Sequence, residues 1–223
     1  VTWRADVFTD RADAGRRLGE AVAERLGAEP EGAEPEVVVL GLPRGGVVVA
    51  AEVAAALGAP LDVLVVRKLG VPGQRELAFG AVAAGTRVLN DDVVRALRLD
   101  PATTDAVTAE ELAVVAQRER DYRGVRPAVP LTGRTVVVVD DGLATGATAR
   151  AAVQALRRRS TDRPARVLLA VPVAPPDTAA SLAAEVDDLV CLRQPSSFWA
   201  VGEWYRDFAQ VEDSEVRRLL AAA

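Results

Sequence analysis

Val136 to Val139 are four β-branched residues in succession, the pattern of a strand buried on both faces of a sheet. Comparable apolar density returns at 36–46, where E-V-V-V-L runs into the tight turn G-L-P-R-G-G, and at 61–66, L-D-V-L-V-V. It returns again at 166–173, R-V-L-L-A-V-P-V, and at 187–192, D-D-L-V-C-L. Between these runs the period becomes helical. Residues 8–27 place Leu18, Val22 and Leu26 on one stripe, with Thr9 or Asp10 as N-cap and Gly27 as terminator. Residues 47–57 follow the R-G-G turn as a helix. Ala149, Ala152, Val153 and Leu156 mark another after the valine run, and Pro near its start opens a third after 173.

Two short β runs are expected around 79–84 and 86–89, then helices at 91–99 and 101–124. The second of these is long, ends at Gly124, and carries acids that read as a solvated face. Buried strands alternating with helices predict an α/β fold, an open and mainly parallel twisted sheet flanked by helices. The chain reads as a single domain over 1–223, with the core sheet drawn from 28–90 and 131–192. Residues 28–35, acidic with Gly and two Pro, form a loop. Residues 91–130 form a helical insertion that covers the site or builds a dimer surface, and 193–223 form a C-terminal segment.

Composition narrows the chemistry. At 223 residues, half of them hydrophobic, a sizeable core is available. A net charge of −5 argues against general nucleic-acid or membrane-surface binding, so an anionic substrate needs a locally basic pocket. The absence of His removes Ser-His-Asp and Cys-His catalysis and His-ligated metals. Cys191, in an apolar run, reads as a small core hydrophobe. No signal peptide or membrane-length apolar run occurs, which gives the expectation of a cytoplasmic protein. Met is also absent, as expected if an initiator was removed or the chain trimmed. Lys68 is the only lysine among 27 basic residues, an Arg-heavy usage that reads as genomic bias.

The candidate chemistry follows the valine run. Asp140 and Asp141 arrive together, then Gly142 to Thr148, then a helix. Small side chains at Ala144, Gly146 and Ala147 admit a ligand to the backbone, and loop N–H groups at a helix N-terminus suit a phosphate. Thr145 and Thr148 add hydroxyl donors. The aspartates cannot be phosphate ligands, because like charges repel. They can accept from sugar hydroxyls, directly or through hydrated Mg²⁺. The G-K-[ST] ending of a P-loop is missing.

V-V-V-V-D-D-G-L-A-T-G-A-T resembles the phosphoribosyl pyrophosphate (PRPP) motif of the type I phosphoribosyltransferases. G-L-P-R-G-G resembles that family's pyrophosphate loop, which implies a cis peptide at Pro43–Arg44. R-K-L-G-V-P-G-Q-R-E-L-A-F-G, 67–80, resembles its flexible basic loop, here with Arg67, Lys68 and Arg75. The aromatic-rich tail, with Phe198, Trp199, Trp204, Tyr205 and Phe208, resembles the C-terminal hood of hypoxanthine-type members.

The resemblance implies Asp140, Asp141, Lys68 and Arg67 as catalytic residues, with the two aspartates holding Mg²⁺ directly or through water. It implies Ala144, Thr145, Gly146, Ala147 and Thr148 on the 5′-phosphate. Arg44, Gly45, Gly46, Arg67 and Lys68 fall on the pyrophosphate, and Phe198 or Trp199 on a flat acceptor. Two positions depart from the family: its base-handling acids fall on Ala78 and Ala144, with Glu76 nearby but out of register. The acceptor is therefore unidentified. It is a nitrogen heterocycle, a molecule bringing its own nucleophile, or no base at all. The expected partners are PRPP and a small-molecule acceptor, with no nucleic acid, no membrane and a homodimeric state. A PRPP- or nucleotide-sensing protein on the same scaffold is the alternative. A dinucleotide binder ranks below both, because no G-x-G-x-x-G follows a strand.

Overall fold

A computed structural model of the chain describes residues 7–27 and 36–223. The loop expected at 28–35 and the side chains of Arg75 and Glu76 lie outside the described residues. The main sheet is fully parallel, in the order β2-β1-β6-β7-β8, from β1 (Val37–Gly41), β2 (Leu61–Val63), β6 (Thr135–Val139), β7 (Arg166–Val173) and β8 (Asp188–Arg193). Val136 to Val139 are inaccessible to solvent, as a central strand covered on both faces requires. On one face lie α1 (Arg11–Gly27) and α2 (Gly45–Leu57); on the other lie α5 (Ala147–Arg157) and α6 (Pro176–Ala183). Asp10 caps α1 by accepting from the Asp13 N–H at 2.8 Å, and Asp13 returns the bond by accepting from the Thr9 N–H at 2.9 Å.

Among the described residues within 28–90, only β1 and β2 join the main sheet. The apolar run 61–66 divides after Val63, and Val66 opens a separate antiparallel sheet, β3-β4-β5 (Val66–Val71, Gln74–Ala83, Thr86–Leu89). The basic stretch expected as a mobile loop is thus mostly paired backbone. Val71 faces Gln74 across Pro72 and Gly73, and Gly73 sits at φ 80°, the third position of a type II turn. Pro and Gly together mark a two-residue hairpin here, and Arg67 and Lys68 on β3 supply its described basic side chains.

The stretch expected as a helical insertion, 91–130, holds α3 (Asp91–Ala96) and α4 (Pro101–Arg123). Its acids do not all form a solvated face. Glu119 is buried on the same stripe as Thr104, Thr108, Val115 and Tyr122, and Glu111 reaches the small sheet. Glu119 is tolerated inside because Arg123 donates to it at 2.9 Å and also to Asp62 of β2 at 2.7 Å. Asp62, itself buried, accepts as well from the N–H groups of Val63 and Val129. The C-terminal segment ends in α7 (Asp213–Ala222), a helix beyond those expected from the sequence.

Candidate active site

In the main sheet, strand order turns back between β1 and β6, so the loops leaving their carboxyl ends flank one crevice. The loop after β1 is Leu42–Arg44, with a cis Pro43–Arg44 peptide, and α2 begins at Gly45. The loop after β6 is Asp140–Gly146, and α5 begins at Ala147. Leu42 N–H donates to Val139 C=O at 2.9 Å, and Leu143 N–H donates to Val173 C=O at 2.9 Å, which ties both loops to the sheet edge.

The two loops touch through glycines. A Cβ on Gly45 would stand 1.9 Å from Asp141 Oδ2, and one on Gly46 would stand 2.7 Å from Val139 O and 3.0 Å from Asp140 Oδ1. R-G-G is therefore the sequence that lets the aspartate pair lie against the neighbouring loop. Asp140 Oδ1 accepts from the Asp141 N–H at 2.9 Å, and Asp141 Oδ2 accepts from Arg11 Nε at 2.7 Å. Among the described residues, no donor reaches Asp140 Oδ2 or Asp141 Oδ1. Each carboxylate thus has one oxygen anchored by the protein and one open.

Burial, then the adjacent Asp141 charge, pushes the Asp140 carboxyl well above the usual carboxylate range. Burial also raises Asp141, with the Arg11 bond and charge opposing it. A cation or a cluster of hydroxyl donors at the open oxygens would relieve this cost.

In the loop that follows, the N–H groups of Ala144, Thr145, Gly146 and Thr148 donate to no acceptor among the described residues, while Ala147 N–H makes a long contact of 3.4 Å to Thr145 Oγ1. Gly146 adopts φ 69°, turning the backbone into α5, and Thr178 Oγ1 holds Ala144 C=O at 3.0 Å. Unpaired amides at a helix start form an anion cradle.

Lys68 is exposed on β3. It borders a cavity of about 570 Å³ shared with Ala147 at the head of α5, and a second of about 580 Å³ shared with Arg67, Gly70 and Glu111. Asp140 and Asp141 border neither cavity. Arg67 is held by Glu111 at 2.7 Å, and Arg44 stands 4.0 Å from Asp213. The two aromatics expected against an acceptor part company. Phe198 packs at the edge of the cluster formed by Phe8, Val173, Trp204 and Tyr205, whereas Trp199 is 85% exposed.

Three residues at the site were not singled out for it from the sequence: Arg11, Tyr205 and Phe208. Arg11 also donates to Ala209 C=O at 2.8 Å and lies 3.8 Å over the Phe208 ring. Tyr205 Oη donates to Asp141 C=O at 2.5 Å, and burial, then Asp141, pushes its phenol upward so that it stays a donor. The N-cap at Asp10 was the one local signal that Arg11 begins a helix, and nothing in it specified a partner 130 positions away.

Residues 13–208 match the phosphoribosyl transferase domain family. The chain belongs to that family. This phosphoribosyl transferase domain is 53% identical over 218 residues to a Mycobacterium tuberculosis protein named "Putative phosphoribosyl transferase". The match takes in 97% of the chain and 47% of that relative, so the chain spans about half the relative's length. In structure it is similar to TT1426 of Thermus thermophilus, with a TM-score of 0.82 at 44% identity, over 97% of this chain and 98% of that one. It shares its fold with a Neisseria gonorrhoeae protein solved with bound ppGpp, at TM-score 0.50 and 16% identity, over 97% and 96% of the two chains. No helix among the described residues is long and apolar enough to cross a membrane.

Proposed function

We propose that this domain transfers the 5-phosphoribosyl group of PRPP to a small acceptor and releases pyrophosphate. The observation that carries the reading is the pair of open carboxylate oxygens on Asp140 and Asp141, one loop-length from the unpaired amides of Ala144, Thr145, Gly146 and Thr148. That spacing suits a sugar phosphate: amides on the 5′-phosphate, carboxylates on the 2′- and 3′-hydroxyls. Thr145 and Thr148 add hydroxyls to the phosphate cradle. Arg44, Gly45 and Gly46, at the start of α2, would hold the pyrophosphate, and Lys68 and Arg67 would join them from the small sheet.

The aspartates would also stand beside the ribose ring as it becomes cationic when the C1–O bond breaks, and charge placed in advance there stabilises the transition state. Asp140 and Asp141 would hold a hydrated Mg²⁺ through their open oxygens, a hard-cation site of few protein ligands. When bound, Mg²⁺ would neutralise the departing pyrophosphate. The acceptor would lie under the exposed Trp199 of the hood.

The test is pyrophosphate release from PRPP and Mg²⁺ across a panel of acceptors. Asp141→Asn is expected to remove about 3 kcal/mol of transition-state stabilisation, a loss of two or more orders of magnitude in turnover. Near-normal turnover in that variant would refute the role.

A second reading rests on Ala78 and Ala144, which stand where the resemblance places base-handling acids. A domain that senses PRPP or a nucleotide needs no such acid. Saturable binding of PRPP, or of ppGpp as a second titrant, with no pyrophosphate release across the panel would favour it.

A further inference from the structure

Arg11 enters the crevice from the far end of the chain. Residues 8–9 are strapped to the hood: Phe8 N–H donates to Trp204 C=O, Arg206 N–H to Phe8 C=O and Asp207 N–H to Thr9 C=O. The strap sets the first turn of α1 against the loop after β6. There the guanidinium is fixed on three sides: Phe208 beneath it at 3.8 Å, Ala209 C=O at 2.8 Å, and Asp141 Oδ2 at 2.7 Å. The side chains of Arg11 and Asp141 are only 11% and 17% exposed, so solvent does little to replace this bond. Gly45 leaves the space in which the pair lies; a Cβ there would come within 2.8 Å of Arg11 Nε.

The bond determines which oxygen of Asp141 is available. With Oδ2 committed to Arg11, rotation of the carboxylate about its Cβ–Cγ bond is stopped and Oδ1 is the oxygen left open. A carboxylate free to rotate would accept from a hydroxyl in many orientations and order none of them. A carboxylate pinned by one oxygen presents the other at a fixed place on the loop after β6.

Resting on the proposed PRPP reading, we infer that Arg11 is the positioning residue that gives this site its preference for a sugar with both ring hydroxyls. It touches no substrate; it acts through Asp141. Arg11 makes no hydrogen bond to the loop 144–148 among the described residues, so diol recognition is separable from phosphate recognition.

The probes are ribose 5-phosphate and 2-deoxyribose 5-phosphate, titrated calorimetrically into the whole chain at fixed Mg²⁺. Wild type is expected to prefer the ribose compound by about tenfold, the worth of one charge-assisted hydrogen bond. Arg11→Gln is expected to bring the two affinities within about twofold of each other while the deoxy compound binds as it does to wild type. Arg11→Lys, which restores a cationic donor, is expected to recover part of the preference. Because Arg11 also braces the hood, thermal unfolding of each variant is recorded beside the titration, and Arg11→Lys carries the test if Arg11→Gln unfolds. A folded Arg11→Gln protein that keeps the wild-type ratio, or loses affinity for both sugars equally, overturns the assignment. If wild type binds neither sugar phosphate, the PRPP reading falls and takes the assignment with it.

Discussion

A methyl group at position 45 would occupy space now held by the Asp141 carboxylate, at 1.9 Å from Oδ2. The obstruction is a pinned side chain rather than a flexible surface group, so it cannot move aside without giving up Arg11. Gly45→Ala should therefore cost about 1–3 kcal/mol of stability, typical of overpacking, and weaken PRPP binding at least tenfold. Urea denaturation and calorimetry read the two effects, and an unchanged affinity would show that the loop contact has no part in the site.

The aspartates themselves should act against stability. For a carboxyl whose folded-state pKa is raised, the native chain holds more protons than the unfolded chain between the ordinary Asp value, about 3.9, and the raised value. Stability is then fullest below that window and falls as pH rises through it. Burial raises both acids, Asp140 the more strongly. Asp140→Asn is expected to raise the melting temperature of the unliganded protein near neutral pH by about 2–4 °C, the shift that ~1 kcal/mol makes at this size. The gain should vanish toward pH 4. Equal melting curves for the two proteins at neutral pH would contradict the strained acid pair.

At the scale of elements, α4 is anchored to the core by an ion cluster as well as by packing. Asp62 and Arg123 have side chains only 6% and 15% exposed, and Glu119 completes the set. Replacing Arg123 by Ala leaves two buried carboxylates without their cation, which commonly costs about 3–5 kcal/mol. Hydrogen exchange should then show α4 and the segment leading to Val129 opening before the main sheet. Uniform loss of protection would place the cluster's role elsewhere.

The same elements show what local pattern can and cannot carry. β7 over 166–173 and α4 over 101–123 were legible, because continuous burial and strong caps are local signals. Of the hairpin at 66–83, the β run near 79–84 was legible but the first strand and turn were not: Gly70, Pro72 and Gly73 are loop residues by composition, and only the pairing partner makes them part of a hairpin. Glu119 was read as solvated because its buried cation, Asp62's partner Arg123, is an interaction across elements.

For the whole molecule, the parallel sheet and the two loops that leave β1 and β6 were legible because each motif is contiguous. The meeting of the two loops follows from β1 and β6 becoming neighbours, a pairing that no window of sequence displays. Arg11 and Tyr205 are the clearest case. They come from opposite ends of the chain and converge on Asp141 because Phe8 pairs with Tyr205. The family resemblance implies roles for Asp140, Asp141 and the 144–148 loop; it has nothing to say about Arg11, which hydrogen-bonds Asp141.

The most direct measurement is calorimetric titration of the folded chain with PRPP in the presence of Mg²⁺, run beside a double variant, Asp140→Asn with Asp141→Asn. The account predicts saturable one-site binding to wild type and loss of at least two orders of magnitude of affinity in the double variant, with its thermal unfolding still cooperative. Absence of PRPP binding to wild type, or equal binding to both proteins, would contradict it.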